Sequence, residues 1–222
     1  YWSLYSYYNP SDVRFYLNDG TEAWNAMSAI IGTRANILNG EWQHVTAVVD
    51  READELKVYL NGVFVTETDI SGLGSVSHTG SDVVIGAHAH SYSGGNFDGS
   101  IRDVKIFPSA LTDGDVRKLY GGENPRPNRN DQLLTNGDFS TGDLTGWTKE
   151  EATAGSGGTV TVSNNQLKFM QGDASSNNYA YQTFTTRADT TYSISWNLIS
   201  TTGSYQNVKI GTTAGASNIF IS

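Results

Sequence analysis

The sequence predicts an all-β protein, built as two consecutive antiparallel β-sandwich domains with one short helix near residues 112–120. Three observations predict it. The composition is strand-like: 12 Tyr, 8 Phe and 5 Trp stand against only 4 Pro and 2 Met. β-branched and aromatic residues punctuated by Gly, Asn, Asp and Ser favour strands and tight turns. Many segments alternate apolar and polar residues at period two, the signature of a half-buried strand. Finally, the polar stretch Gly121-Gly122-Glu123-Asn124-Pro125-Arg126-Pro127-Asn128-Arg129-Asn130-Asp131 holds two of the four prolines and no large apolar residue. It reads as a linker that divides the chain into residues 1–121 and 132–222.

In the first half, Val13, Phe15 and Leu17 fall on one side of a short strand. His44–Val49 and Leu56–Leu60 are the next strand-like runs. Asn61-Gly62 then precedes Val63-Phe64-Val65, and an Asn-Gly between two such runs marks a type I′ hairpin, which needs positive φ at both central positions. Val83–Ile85 and Ile101–Phe107 supply further strands. The helix is announced by Thr112 as N-cap with Asp115 three residues on; Val116, Leu119 and Tyr120 share one face and Gly121 stops it.

The second half repeats the β pattern at Thr159–Val162, Gln166–Met170, Tyr179–Phe184, Thr191–Ile199, Asn207–Ile210 and Asn218–Ile221. In the longest run, Tyr192, Ile194, Trp196 and Leu198 share one face, while Ser193, Ser195 and Asn197 share the other. The chain opens on Tyr1-Trp2-Ser3-Leu4 and ends on a strand-like run, so both domains are expected to lack strands: the first its N-terminal ones, the second its C-terminal ones.

Charge narrows the function classes. The net charge is −9, with 15 acids and 8 bases in residues 1–122 and 8 acids and 6 bases in residues 123–222. No basic stripe exists to neutralise phosphates, so a nucleic-acid partner is not expected. No apolar run approaches the roughly 18 residues of a membrane span, so no membrane insertion is expected. The absence of cysteine removes thiol nucleophiles and Cys-based metal sites.

Four blocks carry a family resemblance. They are Gly40-Glu41-Trp42-Gln43-His44-Val45-Thr46-Ala47-Val48-Val49-Asp50; Val58-Tyr59-Leu60-Asn61-Gly62; Val84-Ile85-Gly86-Ala87; and Phe97-Asp98-Gly99-Ser100-Ile101-Arg102-Asp103-Val104-Lys105-Ile106-Phe107 through Ala110-Leu111-Thr112. In order and spacing they resemble the laminin-G-like, concanavalin A-like jelly-roll family, over about residues 1–121. The second half is similar to carbohydrate-binding modules of families 4, 9 and 22. That resemblance rests on Leu133-Leu134-Thr135-Asn136-Gly137-Asp138-Phe139-Ser140, Gly146-Trp147, Tyr181-Gln182-Thr183-Phe184 and Thr191-Tyr192-Ser193-Ile194-Ser195-Trp196. The two resemblances imply jelly-roll sandwiches that bind glycans or protein surfaces, often with a structural calcium ion. They occur as accessory domains of secreted enzymes, in adhesins and in phage virion proteins. Fold alone does not choose among these.

The candidate chemistry follows. Some glycosidases of the concanavalin A-like fold place carboxylates on one strand as Glu-x-Asp-x-x-Glu. The nearest match is Glu52-Ala53-Asp54-Glu55, and Lys57 stands where the third carboxylate belongs. Lysine cannot serve as one of the paired carboxyl groups of glycoside hydrolysis, and the cluster lies between two strands of an expected hairpin. The chain is therefore expected not to be an enzyme. His88 and His90 form a possible metal pair without an evident third ligand, and His44 is expected to be structural. For calcium, the resemblance implies main-chain oxygens near Asn136 and an acid just after Phe139. Ser140 occupies that position, leaving Asp138 and Asp143 as substitutes. Asp19 and Asp98 are lesser candidates.

Sugar binding needs aromatic faces flanked by polar groups. Tyr179 and Tyr181 share a strand face opposite the inward side of Phe184, with Asn177, Asn178 and Gln182 nearby. They are the glycan-binding candidates, although the same pair suits ordinary cross-strand packing. Trp147, Tyr192 and Trp196 are expected in the core. The expected function is a non-catalytic glycan-binding or adhesion module pair of a larger virion-surface or secreted protein. Its partners would be a cell-surface or polymeric glycan and other surface proteins, and oligomers are compatible with this. The alternatives are a purely structural virion component and accessory domains of a polysaccharide-degrading enzyme.

Overall fold

A computed structural model describes residues 2–6, 12–17, 27–33, 37, 39–74, 81–85, 97–123, 133–151, 158–170, 178–184, 191–203 and 208–211. Along the chain run β1 (Trp2–Ser6), β2 (Asp12–Leu17), β3 (Met27–Thr33), β4 (Gln43–Asp50), β5 (Glu55–Leu60), β6 (Val63–Asp69), β7 (Ser81–Ile85) and β8 (Phe97–Phe107). The helix α1 (Asp113–Tyr120) follows. The remaining strands are β9 (Thr148–Glu150), β10 (Thr159–Ser163), β11 (Gln166–Met170), β12 (Tyr179–Phe184), β13 (Tyr192–Gly203) and β14 (Val208–Gly211).

Local sequence explains the connections. Asp50 Oδ1 accepts the backbone N–H groups of Glu52 and Ala53 at 3.0 and 3.3 Å, and Asp54 takes a left-handed φ of 53°, which turns β4 into β5. Asn61 and Gly62 have φ of 52° and 76°, as a primed hairpin turn requires. Asn61 also ties the hairpin to β4, accepting the His44 N–H at 2.9 Å and donating to Gln43 Oε1 at 2.7 Å. The helix opens on the expected capping box: Asp115 N–H donates to Thr112 Oγ1, and Thr112 N–H donates to Asp115 Oδ2. Val116 and Leu119 are buried, but Tyr120 is 55% exposed and leaves the face predicted for it. Its ring packs over the Gly62 turn instead.

The strands form two seven-stranded sheets. Sheet A has the order β3-β2-β1-β14-β7-β12-β9, and sheet B the order β10-β11-β8-β13-β4-β5-β6. Every pairing is antiparallel. Two separate sandwiches do not appear among the described residues. Strands from both sides of residues 122–131 alternate in both sheets. β13 lies between β8 and β4, and β7 lies between β14 and β12. The physical reason is edge pairing. An unpaired strand edge is a template for another strand, and β13 satisfies two edges at once, from Tyr192↔Val49 to Leu198↔Gln43 on one side and from Ser193↔Phe107 to Gly203↔Phe97 on the other.

The core is shared in the same way. Phe15, Ile31, Val45 and Val49 pack in one cluster with Phe139, Phe169, Ile194 and Trp196. Trp147, Tyr192 and Trp196 are buried as expected. The serine face of β13 is buried too: Ser193 and Ser195 are 0% and 1% exposed. A second cluster of Val48, Tyr59, Phe107, Leu111, Val116 and Leu119 seats α1 on the outer face of sheet B. The Ser193 hydroxyl accepts the Leu111 N–H at 3.1 Å and donates to the Ser109 carbonyl at 2.7 Å. Hydrogen bonding thus replaces the water that this half-polar pattern anticipates. The opening residues form β1, in line with their strand-like reading, whereas β3 and β9 go beyond the strands read from the sequence. Expected strand residues 218–221, His88, His90, Asp19, Asn177 and most of the linker lie outside the described residues.

Candidate functional site

β12 presents the predicted tyrosines. Ala180, Gln182 and Phe184 are buried, while Tyr179 and Tyr181 on the opposite face are half-buried and Thr183 is exposed. The two rings lie 6.1 Å apart, tilted by 42°. On the edge side, β9 places exposed Glu150 opposite Tyr179 and exposed Thr148 opposite Tyr181. The register extends this row across the sheet, from Tyr181 to Val84, Lys209, Ser3 and Tyr16. Tyr16 sits between buried Phe15 and Leu17 and is half-buried itself, so it belongs to the same outer face. Four strand spacings separate it from Tyr181, about 19 Å. Alternation in β2 marks Tyr16 as outward, but only the register aligns it with Tyr181.

The two polar candidates beside the tyrosines are placed differently. Gln182 points inward, 8% exposed, and its amide joins both ends of the segment 135–146. Its Oε1 accepts the Thr135 N–H at 2.6 Å, and its Nε2 donates to the Thr135 and Gly146 carbonyls at 2.9 and 2.7 Å. Asn178 is 1% exposed and donates to the Met170 carbonyl at 3.2 Å. Both amides support the strand that carries the tyrosines. The structure brings the four predicted residues together, and only Tyr179 and Tyr181 reach the surface.

The calcium candidates lie in the segment 136–147. Asn136, at φ 51°, donates from its amide to the carbonyls of Asp143 and Thr145, both at 3.1 Å. Its own carbonyl accepts the Trp147 indole N–H at 3.1 Å. Asp138 Oδ1 accepts from the Ser140 N–H and hydroxyl, and Asp143 Oδ1 from the Thr141 hydroxyl and Thr145 N–H. Hydrogen bonds from Thr145 and Thr141 hold the Asp143 carboxyl below its ordinary range. The Asn136 carbonyl, Asp138 Oδ1 and Asp143 Oδ1 thus each stabilise these turns. Among the described residues no three His, Cys, Asp or Glu side chains converge on a point. Asp98 lies on β8, where its carbonyl accepts the Ser200 hydroxyl.

Glu52 and Ala53 are exposed on the β4–β5 turn, as expected. Glu55 is ion-paired with Lys57. With Glu67 and Asp69 this turn lines a shallow depression. His44 is 3% exposed, its Nε2 2.8 Å from the Ser195 hydroxyl. Burial, with a smaller contribution from the Lys105 charge, lowers its pKa to about 4.

Two antiparallel sheets packed on one shared core make a β-sandwich. The profile of the concanavalin A-like lectin/glucanases superfamily, in its laminin G-like branch, matches residues 1–117. The chain belongs to this family. No curated protein matches it.

Proposed function

We propose that the chain is a non-catalytic glycan-binding module of a larger surface or secreted protein, and that the outer face of sheet A is its binding face. The observation that carries this reading is the Tyr179–Tyr181 pair, outward on β12 and bordered by exposed Thr148 and Glu150. Pyranose C–H faces pack on aromatic rings while their hydroxyls seek neighbouring polar groups. With Tyr16 in the same register row, the face has the length for an oligosaccharide or polymer. The non-catalytic part rests on Lys57, which sits beside the turn acids as an ion-pair partner where a glycosidase pattern needs a carboxylate. A virion-surface or extracellular setting is our reading of the cysteine-free, Thr/Ser/Asn/Gly-rich composition.

The test is affinity electrophoresis through gels containing soluble polysaccharides, comparing the chain with a Tyr179→Ala/Tyr181→Ala variant. Retardation that the double variant loses supports the reading. Equal retardation of both chains, or reducing sugar released from any of the polysaccharides, contradicts it.

A further inference from the structure

The outer face of sheet B contains a second constellation, far along β8 from the helix-covered cluster. Between Ser195↔Lys105 and Asn197↔Arg102 the register of β8 against β13 shifts, so Asp103 and Val104 oppose the single residue Trp196. Asp103 takes a left-handed φ of 54° inside a strand. A non-glycine residue held there is strained, and such strain persists where neighbours over-determine it. Bulges of this kind re-aim side chains.

Here the bulge aims Arg102 and Asp103 outward together. The Arg102 guanidinium lies 4.4 Å from the centroid of the Trp42 ring, a cation–π contact that holds its plane. Its Nε is 3.5 Å from Asp103 Oδ2, an ion-pair contact outside hydrogen-bond geometry. Asn197 Nδ2 donates to the same Oδ2 at 3.1 Å. The side chains of Arg102 and Asp103 remain 41% and 37% exposed. Among the described residues, the two terminal nitrogens of Arg102 have no protein acceptor, and Asp103 Oδ1 and Asn197 Oδ1 have no protein donor. Lys105 on β8 and Lys168, paired opposite Ser100 on β11, lie on the same outward face and are half-exposed. In a chain of net charge −9 this is a locally basic spot.

We propose that this constellation is a second binding site, for a carboxylated or sulfated saccharide, with Arg102 as the anion-binding fork. A planar guanidinium held from one side offers two parallel N–H donors to a carboxylate or sulfate. Asp103 Oδ1 and Asn197 Oδ1 are acceptors for adjacent hydroxyls. That combination selects an acidic sugar over a bare anion, because Asp103 repels an anion that brings no hydroxyl to it. The site stands on the opposite sheet from the tyrosine face and does not depend on the reading given to that face.

The test is isothermal titration of the intact chain with trigalacturonate and a chondroitin sulfate hexasaccharide, set beside cellohexaose and inorganic sulfate. An acidic oligosaccharide binds, Arg102→Ala weakens it at least about tenfold, and Arg102→Lys recovers only part of the loss because the fork is gone. Tyr179→Ala/Tyr181→Ala leaves this binding unchanged. Far-UV circular dichroism confirms that each variant is folded, with Arg102→Gln as the substitute if Arg102→Ala is not. Failure of both acidic oligosaccharides to bind, undiminished binding by the folded Arg102 variant, or equal binding of inorganic sulfate would overturn the proposal.

Discussion

The outer faces of the two sheets start from the same alternating pattern and end differently. On sheet A, β12 leaves Tyr179, Tyr181 and Thr183 at the surface. On sheet B, β13 sinks Ser193 and Ser195 as deeply as its inward Ile194 and Trp196. The difference is the cover. The segment through Ser109, Leu111 and α1 lies on sheet B, bonds the Ser193 hydroxyl and brings Val116 and Leu119 onto Phe107 and Val48. Period-two alternation reports which residues share a face. It does not report whether that face meets water or another element. Aromatic residues therefore lie outside on sheet A while hydroxyls lie inside on sheet B.

That contrast can be broken from either side. The largest effect is expected beneath both faces. Trp196→Ala removes a fully buried indole and should cost about 3–5 kcal/mol, read as a lower denaturation midpoint at unchanged slope. Stripping the cover comes next: Leu119→Ala should cost about 2–4 kcal/mol and raise amide exchange in β13, without altering any ligand bound on sheet A.

The buried polar set beneath the cover also predicts a pH dependence. Burial, with the Lys105 charge, lowers the His44 pKa from its ordinary 6.5 to about 4 in the folded chain. The unfolded chain therefore takes up this proton first as pH falls. Stability from this group is full above pH 6.5, declines between 6.5 and about 4, and levels below, an amount of about 3 kcal/mol. Over that window the thermal midpoint of the chain should fall with pH more steeply than that of a His44→Gln variant; parallel curves would assign the loss elsewhere.

Gly158 supplies a smaller effect on the support of sheet A. A Cβ there would lie 1.9 Å from Asn178 Nδ2. Gly158→Ala should cost about 1–3 kcal/mol, measured by chemical denaturation. The smallest stability change is expected at the tyrosines themselves. Tyr179→Ala and Tyr181→Ala are half-exposed positions and should each cost less than about 1 kcal/mol while removing the proposed sugar contact.

Much of this was legible in the sequence. The Asn61-Gly62 hairpin, the Thr112–Asp115 capping box and the inward set Tyr192, Ile194, Trp196 and Leu198 follow from turn chemistry, capping and alternation, which are local. The partner of each strand was not legible, because pairing between β13 and β4 joins residues about 150 apart in the chain, as in Ser195↔Thr46. Local patterns set a strand's faces, whereas its neighbours are chosen by whichever edges remain open. The same limit hid the inward role of Gln182, whose partners Thr135 and Gly146 lie 47 and 36 residues away. It also hid the alignment of Tyr16 with Tyr181. The bulge at Asp103 leaves one trace in the alternation, the spacing of inward Ile101, Val104 and Ile106 by three and then two residues.

One core, assembled from both halves of the chain, carries the two unlike faces. Differential scanning calorimetry of the intact chain tests it most directly. A single transition, with calorimetric and van't Hoff enthalpies equal and shifted as a whole by Trp196→Ala, is the predicted result. Two transitions, of which Trp196→Ala moves only one, would mean that residues 1–121 and 132–222 fold separately and would contradict the shared core.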